Sequence, residues 1–339
     1  MRALTIYRCV LIVVVFLAAA GISLGSYVRL SNAGLGCPDW PRCYGHFWIP
    51  ETAEDIRFSE KAYGSTFFSG LASKEMIHRY VVSLLGLAII VLFLLSSFFS
   101  SSDSILTKER PWTTALLLLV VAQGVFGMWT VTLKLLPIIV TTHLVGGMLT
   151  FCLAVWMFCR VYYYPSKLSL IPTYLKVISV SSLIMVAIQI IFGGWVSTNY
   201  AGLSCESLFK CGDKFIPDMS FSSAFGLSYS SPLMIISPIG QVTILWLHRV
   251  WAMFVTAAIV FLATRLYRQH YVIASLLLIF LVCVQVMLGI SNIVFHLPKW
   301  VAVSHTICAA VLLAAVLVVN YVIFHFPSGK LHGDTSQSA

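Results

Sequence analysis

The feature that most constrains this chain is a series of eight long apolar runs. They cover residues 9–24, 74–99, 112–133, 137–162, 174–198, 240–266, 271–295 and 299–324. Several reach the roughly 20 residues a helix needs to cross a bilayer. Lipid offers no partner to backbone N–H and C=O groups, so such runs must close their hydrogen bonds within themselves, as helices. Composition agrees: 59% of the 339 residues are hydrophobic and 10% are charged, against about 25% charged in a soluble domain. The sequence predicts an all-α integral membrane protein with eight transmembrane helices and excludes a soluble enzyme on a single anchor. Pro111, Pro137, Pro172 and Pro298 are placed at or near span starts, where proline is tolerated.

The first run follows Arg2 and Arg8 and contains Ala18-Ala19-Ala20, an order that also suits a cleaved signal peptide. It continues into Gly25-Ser26-Tyr27-Val28 and resembles the end of a later span, so a retained helix is expected. Eight spans put both termini on one side. With that side cytoplasmic, the inner positions hold Arg2, Arg8, Lys108, Arg110, Arg160, Lys167, Lys176, Arg265, Arg268 and Lys330. The short outer connections hold only Lys134 and Lys299, and long loops weigh little in the positive-inside rule. The formal net charge of +9 is therefore read as topology, with no nucleic-acid partner implied. Residues 327–339 are expected to form a loose cytoplasmic tail. The absence of an Arg- and Ser-rich presequence favours a bacterial plasma (inner) membrane.

The chain repeats itself. Ala33-Gly34-Leu35-Gly36-Cys37 matches Ala201-Gly202-Leu203-Ser204-Cys205, and Ile77-His78-Arg79 matches Leu247-His248-Arg249. Gln123-Gly124-Val125-Phe126-Gly127 matches Gln285-Val286-Met287-Leu288-Gly289, and Thr142-His143 matches Ser304-His305. The offsets lie between 162 and 170 residues. Four spans per half give both halves the same orientation, the parallel kind of internal repeat. The expected architecture is two pseudo-symmetric four-helix bundles, residues 1–168 and 169–326.

Chemistry concentrates at the outer ends of the even-numbered spans. Lys74-Glu75-Met76-Ile77-His78-Arg79 opens the second span, where ionisable side chains are costly and need a reason. Glu75 and His78 are three apart and share a helix face. His78, His143, His248 and His305 fall at similar depth, on the order of 10 Å below the outer surface at about 1.5 Å per residue. Each half thus offers two imidazoles from two parallel helices. Helix bundles commonly build cofactor sites from facing helices, and two histidines can clamp a haem iron from both faces. The lack of three or four ligands at metal spacing argues against zinc. The bland alternative is four hydrogen-bonded packing histidines. Arg79 and Arg249 follow two of these histidines and suit either haem propionates or snorkelling to the interface. His46, His270, His296, His325 and His332 read as loop or span-end residues.

Cys37, Cys43, Cys205 and Cys211 lie in the outer loops, facing an oxidising compartment. Each pair would close a short loop, which suits disulfides Cys37–Cys43 and Cys205–Cys211. C-x-x-C spacing is absent, which favours stapling over redox chemistry. Pro38-Asp39-Trp40-Pro41 is turn-forming and aromatic and could lie as a lid over the first half. The position equivalent to Glu75 is Leu245. The first half is therefore expected to be chemical and the second to transfer electrons, unless Glu75 is a structural acid paired with Arg79 or Lys74.

Residues 33–41, Glu75-x-x-His78-Arg79, Thr142-His143-Leu144, Ala201-Gly202-Leu203, His248-Arg249 and His305 resemble the haem A synthase family over nearly all eight spans. That resemblance implies conversion of haem O to haem A for terminal oxidases. The methyl group at porphyrin carbon eight becomes a formyl group by two successive hydroxylations and loss of water. It implies a resident haem b on His248 and His305. It also implies a substrate haem facing His78 and His143, with Glu75 as the acidic group, and a Cys37–Cys43 disulfide needed for activity. The implied partners are haem O, an electron donor such as a ferredoxin or quinol, haem O synthase and membrane lipid. The second loop lacks the Pro-Asp-Trp-Pro element, which weakens a lid role there. Three other classes compete: a b-type cytochrome in quinol electron transfer, a disulfide-forming oxidoreductase and a transporter. The one-sided Glu75, the missing C-x-x-C and the scarcity of mid-span charge argue against them in turn.

Overall fold

The computed structural model describes residues 2–99, 104–162, 172–205, 207–208, 210–226 and 236–325. Lys167, Lys330, His332, the boundary expected at 168 and the tail expected at 327–339 lie outside the described residues. Among the described residues there are eight long helices: α1 Arg2–Leu30, α3 Ser69–Phe98, α4 Ser104–Thr132, α5 Pro137–Tyr162, α6 Thr173–Thr198, α8 Pro238–Arg268, α9 Val272–Val294 and α10 Lys299–His325. All eight are long and apolar enough to cross a membrane. Two shorter helices, α2 Ala53–Tyr63 and α7 Phe221–Phe225, lie in the long connections. Among the described residues there are no strands, only isolated bridges at Cys43–His46 and Cys211–Lys214.

Local chemistry explains the ends. Thr52 caps α2, accepting from the Asp55 N–H at 3.1 Å, as short hydroxyl side chains do at helix starts. Gly64 closes it with φ +63°, a left-handed conformation that glycine adopts without a Cβ penalty. Along α1, Tyr7, Leu11, Val14, Ala18 and Ile22 are buried. They recur every three or four residues, so they form one helix face.

One expectation is corrected. Pro111 lies inside α4 and not at its start. The helix begins earlier because Leu106, Glu109 and Thr113 bury one of its faces. Glu109 pairs with Arg160 of α5 at 2.9 Å, which fastens that extra stretch.

Helix α1 packs on α3, α3 on α4, α4 on α5 and α5 on α1. Likewise α6 packs on α8, α8 on α9, α9 on α10 and α10 on α6. Helices α1, α5, α6 and α10 make the contacts between these two sets. Arg29 donates to the Ser197 carbonyl at 2.6 Å, across a separation of 168 residues, so it meets its own counterpart in the repeat. Arg29 also stacks on Tyr200 at 4.1 Å, and the Thr141 and Thr198 hydroxyls bond at 3.1 Å.

Candidate functional site

The first outer loop is seated by its backbone. A Cβ on Gly36 would come within 2.6 Å of the Leu71 carbonyl carbon and 2.8 Å of the Ala72 nitrogen. Only glycine therefore lets the loop lie directly on α3. That approach brings the Cys37 N–H to Glu75 Oε2 at 3.0 Å. Glu75 is 4% exposed, and its Oε1 pairs with Arg79 Nη2 at 2.5 Å. Arg79 Nη1 donates to the carbonyls of Asp39 at 3.0 Å, Pro41 at 3.3 Å and Arg42 at 2.8 Å. The Pro38-Asp39-Trp40-Pro41 segment is thus fastened to the outer end of α3. Asp39 in turn accepts from the Tyr44 and Gly45 N–H groups and from the Tyr63 hydroxyl. Partial desolvation and the Asp39 carboxylate push the Tyr63 hydroxyl above its ordinary range.

Among the described residues, the second outer loop repeats the clamp without an acid. Arg249 donates to the carbonyls of Cys205 at 3.0 Å, Ser207 at 2.7 Å and Leu208 at 3.3 Å. Leu245, buried, stands where Glu75 stands in the first half. Glu206 and Phe209 of this loop lie outside the described residues. Both outer cysteine pairs form disulfides, Cys37–Cys43 and Cys205–Cys211. Alkylation of unreduced protein, mapped by peptide mass, is expected to miss all four cysteines and to reach them after reduction. Labelling of Cys37 and Cys43 without reductant would remove the staple from the first loop.

The four histidines sit on helix pairs that share neighbours but are not extensively packed on each other. His78 is on α3 and His143 on α5; His248 is on α8 and His305 on α10. Each ring rests against a glycine of an adjoining helix. A Cβ on Gly25 would meet His78 Cε1 at 3.1 Å, and one on Gly127 would meet His143 Cε1 at 3.5 Å. The matching distances are 3.2 Å for Gly193 and His248, and 3.3 Å for Gly289 and His305. All four histidines are partly buried, and Nδ1 of His78, His143 and His305 is buried without a hydrogen-bond partner. His46, His270, His296 and His325 lie apart, at loop or helix ends.

A family model described as cytochrome oxidase assembly protein matches residues 8–317. A protein named "Heme A synthase" from Shewanella oneidensis is 36% identical over 313 residues, covering 90% of this chain and 92% of that one. The chain belongs to the haem A synthase family. A second "Heme A synthase", from Neorickettsia sennetsu, is 27% identical over 335 residues, covering 91% and 96%. A third, from Wolbachia pipientis subsp. Culex pipiens, is 26% identical over 336 residues, covering 91% and 94%.

In this haem A synthase family member the histidine pairs fit a haem. A flat ligand needs two nitrogens and a gap between them. The Nδ1 atoms of His78, His143 and His305 have no partner, and a glycine backs each of the four rings. His78 and His143 could hold one haem, and His248 and His305 another. Arg79 and Arg249 point to loop carbonyls in both halves, and Glu75 is paired with Arg79. Hydropathy and motif reading missed the four glycines. A signal was present: Gly127 and Gly289 sit in the matched Gln-x-x-x-Gly segments, and Gly25 and Gly193 share the offset of the first loop motif.

Proposed function

We propose that this protein is a haem A synthase of the bacterial plasma membrane, with both termini cytoplasmic. It oxidises the C8 methyl of haem O with dioxygen in two hydroxylations, each drawing two electrons from the external donor and releasing one water, first to a hydroxymethyl group and then to a gem-diol that loses water to leave the formyl group of haem A. The observation that carries this reading is an asymmetry inside a duplicated frame. Both halves hold a histidine pair, a disulfide loop and an arginine clamp. Among the described residues, only the first places a carboxylate beside its histidine.

In this reading the two helix sets are pseudo-symmetric four-helix bundles. Residues 1–168 form the half for substrate haem and residues 169–326 the half for a resident haem b. The two closed sets of packing partners and the Arg29–Ser197 contact support the arrangement. His248 and His305 are the ligands of the resident haem, which when bound supplies one-electron transfer; a ferredoxin or a quinol would reduce it. His78 and His143 bind and orient haem O. The loop held by Arg79 covers the outer end of this site and keeps water from it. Glu75 faces positive charge developing at the oxidised carbon. Electrostatic stabilisation suits it better than base catalysis, because Arg79 and the Cys37 N–H already hold its two oxygens. The second loop supports that separation, since Arg249 anchors a loop with leucine in the acid's place. Disulfides in both outer loops suit a face outside the cytoplasm.

Expression in cells that make haem O but lack haem A tests the assignment. Chromatography of extracted haems is expected to show haem A appearing at the expense of haem O. Membrane-inserted protein that leaves haem O untouched would reject it.

A further inference from the structure

The second-half histidines each have a glutamine at hand, and the first-half ones do not. Gln189 of α6 places its carboxamide nitrogen 3.1 Å from His248 Nδ1, 3.4 Å from Nε2 and 3.2 Å from the His248 carbonyl. Gln285 of α9 places its nitrogen 3.3 Å from His305 Nε2. The carboxamide oxygens of both are buried without a partner. Each glutamine lies four residues, one helical turn, before the glycine that backs the same ring: Gln189 before Gly193 and Gln285 before Gly289.

The first half breaks the pattern twice. The residue four before Gly25 is Gly21, which has no side chain to offer His78. Gln123, four before Gly127, is turned instead onto Gly146, where a Cβ would collide with its carboxamide. No hydrogen bond joins Gln123 to His143 among the described residues, whereas Gln285 reaches Nε2 of His305, whose Nδ1 is partnerless like that of His143.

A histidine that binds a metal through one ring nitrogen carries its proton on the other, and an acceptor for that proton fixes the ring and strengthens the ligand. The orphaned carboxamide oxygens are such acceptors. A half-turn of the carboxamide exchanges its nitrogen for oxygen at the ring. The exchange gives up only a long bond to a carbonyl that sits inside α8. We propose that Gln189 and Gln285 are positioning residues that lock the His248 and His305 imidazoles and make the second-half haem resident, whereas the first half lacks these locks and exchanges its haem. This inference rests on the reading of His248 and His305 as haem ligands.

The test uses purified full-length protein carrying its haem. Loss of haem to excess apomyoglobin is timed, and the low-spin ferric EPR spectrum is recorded. Gln189→Ala and Gln285→Ala are each expected to keep the haem through purification. Each should release it about 10- to 100-fold faster, the usual cost of losing an outer-shell partner, and shift the largest g value. Gln189→Glu, which keeps an acceptor oxygen, should restore a slow rate; it and Gln285→Ala carry the test should Gln189→Ala fail to accumulate. Wild-type release rates and spectra in the alanine variants would overturn the inference. His248→Ala run in parallel separates the two failures. If that variant keeps the haem, the ligand reading itself is wrong. If it loses haem while the glutamine variants match wild type, only the positioning role falls.

Discussion

Glu75→Gln is expected to retain the haem of the His248/His305 half, to bind haem O, and to stop short of haem A, accumulating the singly hydroxylated product. Removing one preorganised electrostatic group costs about 100- to 1000-fold in turnover, so haem A should fall to a trace in extracts of expressing cells. Gln is chosen over Ala for a structural reason. Deleting one member of a buried ion pair costs about 3–5 kcal/mol, and Arg79, whose side chain is 12% exposed, would be left without its carboxylate. Gln keeps the size and one acceptor oxygen, so it can still receive either the Cys37 N–H or Arg79, though not both. The competing explanation is a loosened loop, and it makes a separate forecast: Cys37 and Cys43 would become easier to reduce and label. Lost haem A with those cysteines still protected assigns the defect to the charge. Near-normal haem A would show that Glu75 is only an anchor. The mirror change Leu245→Gln should leave haem A production nearly intact, because Arg249 holds its loop without help from that position.

His248→Ala or His305→Ala should remove the b-type haem spectrum from purified protein. Each ligand sits alone on its helix, α8 or α10, and those helices are not extensively packed on each other. Neither helix carries a second histidine near that position. His143→Ala should instead leave that spectrum in place and abolish haem A, because its ring belongs to the other pair. Helix packing around His248 gives an internal check on folding. Trp251, one turn on, donates to the Met185 carbonyl at 3.0 Å, so α6 and α8 stay joined when the imidazole is removed. A wild-type spectrum in both second-half variants would overturn the placement of the resident haem.

Arg79 and Arg249 illustrate where sequence reading stops. Their position after a histidine suits a propionate and suits snorkelling equally well. Both reach up to loop carbonyls some 40 residues away in sequence. Gln189 shows the same limit from the other side. It lies 59 residues from His248, and nothing in a run such as Ile188-Gln189-Ile190 tells which helix it faces. Pro111 was misplaced because a helix end is set by side chains on a neighbour, here Arg160, as much as by proline itself.

By itself the sequence determined eight helices long and apolar enough to cross a membrane, the repeated motifs, and a histidine near the start of four of the spans. Those are properties of single segments: length, apolarity and the distance of a residue from its own span's end. Only the tertiary structure decided that Glu75 lies between Arg79 and Cys37, that glycines back all four imidazoles, and that glutamines attend two of them. These depend on how each helix is rotated about its axis. A residue advances about 100° around a helix, so a small change in rotation selects different partners. A membrane helix that is apolar on every side carries almost no pattern to specify that angle. The angle is set by close packing against neighbours, which exists only once all the helices are in place.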